Sequence, residues 1–159
     1  MKRITAIILA ALMLMGVLAA CGGSSDSAKS VDLNTVLTGV NTAFGINDMK
    51  VLSSTDDLSR YYQINADDVK SFAAEFSTDA SNYTEVVLVD AKDAAAATNI
   101  KAKLDDRINK QLSDAKSYHP EQVAVIEACS TQQAGNIVYL VISDKFNDIV
   151  SNIKGALGQ

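Results

Sequence analysis

The chain has 159 residues, a formal net charge of −5 and a single histidine, with 48% apolar and 21% charged residues. That is the size and composition of one ordinary globular domain, long enough to bury a core without disulfides or metals. The acidic balance lacks the clustered Lys and Arg that nucleic acid requires, so no nucleic-acid partner is expected.

The N-terminus departs from this average. In "MKRITAIILAALMLMGVLAAC", Lys2 and Arg3 precede seventeen uncharged residues, Ile4 to Ala20. A basic start, an apolar run and small residues before a cut describe a secretory signal peptide, and the run is slightly short for a membrane span. It ends in Leu18-Ala19-Ala20-Cys21, which resembles the bacterial lipobox at all four positions. The resemblance implies diacylglyceryl transfer to the Cys21 thiol and cleavage between Ala20 and Cys21. A plain signal peptide or anchor helix with an incidental cysteine is the alternative. Two acyl chains at one thiol meet the two-signal requirement for stable membrane anchoring. Removing Lys2 and Arg3 leaves 12 basic and 19 acidic side chains, a net −7, so the lipid rather than surface charge would hold the domain. No cofactor is expected beyond this covalent lipid.

"GGSSDSAKS", Gly22 to Ser30, reads as a tether. A Gly/Ser coil of this length spans about 15–18 Å. The expected organisation is therefore signal peptide 1–20, lipidated cysteine and tether 21–30, and one globular domain 31–159.

The domain opens on a helix. Leu33, Val36, Leu37, Val40 and Phe44 recur at helical spacing, with Asp32 as N-cap, Val31 and Val36 as a hydrophobic staple, and Gly45 as the C-terminal stop. Asn47 to Asp68 is irregular, with one short helical turn in "SSTDDLSR". Phe72, Ala74 and Phe76 alternate with Ala73, Glu75 and Ser77, which predicts a strand; a helix over Asp67–Phe76 competes. "TEVVLVD", Thr84 to Asp90, is apolar on both faces and reads as a central strand, joined to the previous one as a hairpin through "STDASN".

A long helix follows, with Ala97, Ile100, Leu104, Ile108, Leu112 and Ala115 as its buried stripe. Lys101, Lys103, Asp105, Asp106, Arg107 and Lys110 are assigned to its solvated face. Pro120 starts a further helical turn in "HPEQVAVIEA". Cys129–Gln133 and Ile137–Ser143 read as a hairpin around Gly135-Asn136, a type II′ pair, with the first strand at an edge and the second central. Phe146, Ile149, Val150, Ile153 and Leu157 close the chain as a helix that Ser143 or Asp144 caps. The order predicts an α+β fold: an N-terminal helix, then strand–strand–helix–strand–strand–helix. The sheet is mainly antiparallel and four-stranded, with helices packed on one face.

The lipobox and tether, with "YYQINADDV", "TEVVLVDAKD" and its long helix, "HPEQ" and "GNIVYLVISD", resemble a family of small Gram-positive bacterial lipoproteins that carry a domain of unknown function. The resemblance covers nearly all of the chain after Cys21. It implies a cell-surface location and a shared α+β domain, and it implies no activity and no site residues. Cys129 is not part of the pattern.

With Cys21 acylated, Cys129 has no internal disulfide partner. A Cys129–His119 nucleophile pair would need an orienting third group, and a half-buried small side chain is the simpler reading. A lone histidine without a cysteine cluster points away from zinc. The pairs Asp56-Asp57, Asp67-Asp68 and Asp105-Asp106 lack calcium-loop spacing and suit solvated turns and caps. There is no phosphate loop, dinucleotide fingerprint or nucleophile elbow. Arg60, Tyr61 and Tyr62 form the strongest candidate partner surface, because Tyr and Arg are enriched at contacts. The alternative is that one Tyr packs under the sheet while its neighbour covers the edge.

The expectation is a lipid-anchored domain on the extracytoplasmic face of the cell membrane. It would be a non-catalytic module that binds a ligand or envelope protein, or organises the envelope. An envelope enzyme and an accessory subunit of a transporter are the alternatives.

Overall fold

The computed structural model describes residues 31–159. The expected signal peptide, its cleavage site at Ala20 and Cys21, and the tether lie outside the described residues.

Helix α1 (Leu33–Phe44) starts where Asp32 accepts a hydrogen bond from the Asn34 amide, and it stops at Gly45, whose φ is +67°. Strand β1 (Met49–Val51) and helix α2 (Thr55–Tyr62) follow, in a stretch expected to be irregular. Ser54 caps α2 by accepting from the Asp57 amide, and the Asp57 carboxylate accepts from the Ser54 hydroxyl in return. A 3-10 turn (Ala66–Asp68) leads into β2 (Val69–Ser77), which pairs antiparallel with β3 (Glu85–Ala91). Tertiary pairing settles the strand-or-helix ambiguity over Asp67–Phe76 in favour of strand.

Helix α3 (Ala94–Tyr118) is capped by Asp93, and its C-terminal end hands over to a 3-10 turn begun by Pro120 and to α4 (Val123–Glu127). Strands β4 (Thr131–Ala134) and β5 (Ile137–Ile142) form the expected two-residue hairpin. Gly135 has φ +60° while Asn136 stays out of the left-handed region, which makes the turn type II′. Helix α5 (Phe146–Ala156) closes the domain. Neither Ser143 nor Asp144 is its N-cap; that position is Lys145, whose amide donates to the Ser143 hydroxyl.

The sheet has five strands in the order β1-β2-β3-β5-β4, all antiparallel. The expectation of four is corrected by β1. Three residues, two of them exposed, carry too little alternation to announce a strand.

The second correction concerns the layers. Helices cover both faces of the sheet, not one. Val87, Val89, Val138, Leu140 and Ile142 pack with Ala97, Ile100 and Leu104 of α3 and with Leu58 and Tyr62 of α2. Val86, Leu88, Tyr139 and Val141 pack with Val36, Leu37 and Val40 of α1 and with Ile149 and Ile153 of α5. Strands β3 and β5 are apolar at consecutive positions, so both faces must leave water, and a single helical layer cannot achieve that. Among the described residues, no helix is long and apolar enough to cross a membrane.

Candidate functional site

Arg60, Tyr61 and Tyr62 end helix α2, and Gln63 stops it in a left-handed conformation at φ +58°. Three consecutive helical residues point about 100° apart, so they do not share a surface. Arg60 is exposed, Tyr61 is half-buried, and Tyr62 is only 2% exposed and belongs to the core. Tyr62 is therefore a core residue and not part of a surface, as in the alternative in which one Tyr packs inside and its neighbour covers it, and Arg60 and Tyr61 keep the outer position.

The Tyr61 ring lies against Phe76 of β2, with centroids 5.0 Å apart and tilted by 58°. Lys50 of edge strand β1 donates to the Tyr61 hydroxyl at 2.6 Å, with its ammonium 4.7 Å from the ring centroid. The Arg60 guanidinium sits 5.5 Å from the same centroid. Cations over an aromatic face are attracted by its quadrupole. The hydrogen bond from Lys50 holds the Tyr61 phenol below its ordinary range, against a smaller upward effect of burial.

Beside the rings of Tyr62 and Phe76 lies an ion pair. Arg107 of α3 donates through Nη2 to Glu85 Oε2 at 2.7 Å and through Nε to both carboxylate oxygens at 3.1 Å. Gln111 adds a longer bond at 3.3 Å. The Glu85 side chain is fully buried and that of Arg107 is 14% exposed. Arg107 was expected on the solvated face of α3 and is turned inward instead, because Leu104, Arg107 and Gln111 follow one another at helical spacing on the sheet side. Its guanidinium stands 5.4 Å from the Tyr62 ring centroid and 5.9 Å from that of Phe76. Burial works against the charge on Arg107, and the Glu85 carboxylate more than offsets it. The Tyr62 hydroxyl lies beside Glu85 in no good hydrogen-bonding geometry; burial first, and then the Glu85 charge, raise its phenol well above the ordinary value.

Above this pair the α2–α3 junction leaves a notch of about 90 Å³, with Arg60, Lys103, Arg107 and Lys110 in its wall and Asp106 as its one carboxylate. Of the residues gathered here, Arg60 and Tyr61 were named from the sequence, Lys50 and Glu85 were not, and Arg107 was placed on the solvated face of α3. One signal was present. Glu85 shares its parity with Val87 and Val89, and a carboxylate on a buried face needs a cation from the helix that covers it.

The remaining candidates resolve into structural roles. The Cys129 thiol is buried and donates to the carbonyls of Val125 at 3.1 Å and Ser143 at 3.6 Å. Burial raises its pKa, the opposite of what an activated nucleophile needs. His119 meets different neighbours, the edge of Tyr83 at 5.9 Å and the Glu121 carboxylate at 3.4 Å. Asp57 takes part in the α2 cap, Asp68 pairs with Lys92 at 2.9 Å, and Asp105 pairs with Lys101 at 2.8 Å. Among the described residues, no three His, Cys, Asp or Glu side chains are grouped to hold a metal ion.

A family model described as a domain of unknown function, DUF4358, matches residues 42–143. No curated protein and no solved structure matches the chain.

Proposed function

The chain belongs to the DUF4358 family, and on that premise we propose that it is a lipid-anchored extracytoplasmic lipoprotein whose domain is a binding module. The anchor is the thioether-linked diacylglyceryl group on Cys21. Leu18-Ala19-Ala20-Cys21 at the end of an uncharged run is the observation that carries it. Two features of the domain fit an anchor placed before it. The helix α1 supplies its own N-cap at Asp32, downstream of the tether. Cys129 is buried and bonded to carbonyls, so it does not compete with Cys21 for the lipid.

The binding surface of this module is the α2–α3 face around Arg60 and Tyr61. A half-buried aromatic ring flanked by two cations is the kind of surface that contacts partners, since Tyr and Arg contribute disproportionately there. The partner is a ligand or protein of the cell envelope, met on the extracytoplasmic side of the membrane.

Metabolic labelling with a fatty-acid analogue tests the anchor. The wild type takes up label and Cys21→Ala does not; label in the variant, or in neither protein, overturns the reading. A photo-crosslinker placed at Tyr61 in intact cells tests the surface. A specific adduct supports it, and adducts that form equally well from exposed Tyr118 on α3 refute it. Recovery of a transporter permease alone would favour the accessory-subunit reading.

A further inference from the structure

We propose that the α2–α3 notch binds a phosphate group in its dianionic form, as in inorganic phosphate or a phosphate monoester. The proposal rests on the reading of this face as the contact surface and is independent of the anchor.

The first observation is the placement of charge. The described residues carry 11 Lys and Arg against 18 Asp and Glu, a net −7. An acidic domain of this kind repels anions everywhere except where its cations are left unpaired. Among the described lysines and arginines only Lys92, Lys101, Arg107 and Lys116 pair with a carboxylate within 4.0 Å. Of the cations without such a partner, Arg60, Lys103 and Lys110 meet in one notch, and Lys50 stands beside it on Tyr61. Three elements, β1, α2 and α3, contribute them, so the cluster is produced by the tertiary fold and not by a run of basic sequence.

The second observation is how the notch is floored. Arg107 is locked by Glu85, which cancels its charge and fixes its side chain. Tyr62 forms part of the wall, and its buried hydroxyl lies beside Glu85. Lys103 and Arg107 lie one helical turn apart on α3, which is why a free cation and a neutralised one share this wall.

Charge and size select the ligand. With Arg107 cancelled by Glu85, the free cations are Arg60, Lys103 and Lys110, opposed by Asp106. The surplus of two positive charges matches a phosphate dianion, which carries about −1.5 to −2 at neutral pH and three acceptor oxygens. A carboxylate offers one charge and two oxygens. Arg60 supplies a planar fork for two of the oxygens, and the lysines act as point charges. A volume of about 90 Å³ is that of roughly three waters. It admits one tetrahedral oxyanion and leaves whatever carries it outside.

The test is calorimetric titration of the protein purified from its producing cells in neutral detergent. Inorganic phosphate, glycerol 3-phosphate and acetate are compared at equal ionic strength. Phosphate binds saturably at one site, more weakly as salt is raised, since exposed charges are screened over about 8 Å at physiological ionic strength. Lys103→Gln with Lys110→Gln weakens it by about tenfold or more, while the circular dichroism spectrum is unchanged. Lys145→Gln, which alters a lysine outside the notch that has no carboxylate partner, leaves the affinity unchanged.

Vesicles of phosphatidylcholine with and without phosphatidic acid identify the source. Binding of the free ions alone points to a soluble phosphate, and binding only to phosphatidic acid vesicles points to a headgroup; both support the shared chemistry. No saturable binding to any phosphate probe, equal affinity for acetate, or a double variant that binds like the wild type overturns the proposal. A Tyr61 adduct in cells without phosphate binding would leave the contact surface standing and remove the ligand class alone.

Discussion

Arg107 of α3 holds the fully buried Glu85 of β3 in a side-on ion pair, with Nη2 2.7 Å from Oε2 and Nε 3.1 Å from both oxygens. The pair ties the longest helix to the central strand and fills the floor of the cationic notch. Its geometry satisfies both groups, so the pair is costly to break and cheap to replace whole. Arg107→Met strands the Glu85 carboxylate and is expected to cost about 3–5 kcal/mol in urea unfolding. The double variant Arg107→Met with Glu85→Leu should recover most of that loss. A single variant within about 1 kcal/mol of wild type would show that water already reaches the pair.

Glu75 presents the opposite case, a buried carboxylate without a cation. It is 2% exposed, accepts one bond from Asn41 Nδ2 at 3.0 Å, and leaves Oε1 unpartnered beside an equally unpartnered Asn41 Oδ1. Burial raises its pKa, and the Asn41 bond offsets this only in part. A folded-state pKa above the unfolded value means that the folded state binds more protons between the two values. Stability from this group is therefore full at acid pH, below the unfolded value, and is lost as pH rises through the folded one. Glu75→Gln should remove that dependence and raise stability at neutral pH by about 1 kcal/mol, since the amide can both donate to and accept from Asn41. Unfolding midpoints across the pH range check it, and identical profiles for both proteins would refute it.

Lys50 and Tyr61 can be read spectroscopically. The hydrogen bond and charge of Lys50 favour the Tyr61 phenolate, so Tyr61 should titrate below an ordinary tyrosine. Tyr83, which is buried and donates to Asp114 at 2.6 Å, is pushed up to about 12. The phenolate absorbance curve should thus show an early component that Tyr61→Phe deletes and Lys50→Met moves to higher pH. An early component that survives Tyr61→Phe assigns it to another tyrosine.

Cys129 should be chemically silent. Its thiol is buried, donates to two carbonyls and has a raised pKa. A thiol reagent should modify it only after unfolding, and in the lipidated protein no cysteine should react under native conditions. Rapid native labelling at Cys129 would show local opening around α4.

The three long helices, the β3 and β5 cores and the Gly135-Asn136 turn were legible because their signals are local. Periods of two or about 3.6 residues and a capping side chain are complete within a few residues of chain. β1 was not legible for the same reason: its three residues become a strand only because β2 presents an edge to them, pairing Met49 with Ser77 and Val51 with Glu75. The candidate surface was half legible. Adjacent Tyr61 and Tyr62 look alike in sequence, and only the angle at which α2 meets the sheet sends one ring to the surface and the other into the core.

By itself, then, the sequence determined which segments are amphipathic and that two strands are apolar on both faces. The tertiary structure decided the strand order, which helix covers which face, and that Arg107 faces Glu85 while Lys103 and Lys110 face solvent. The physical reason is range. Hydrophobic period and capping are set by neighbours in the chain, whereas a buried charge, an edge strand and a cluster of unpaired cations exist only once distant segments meet.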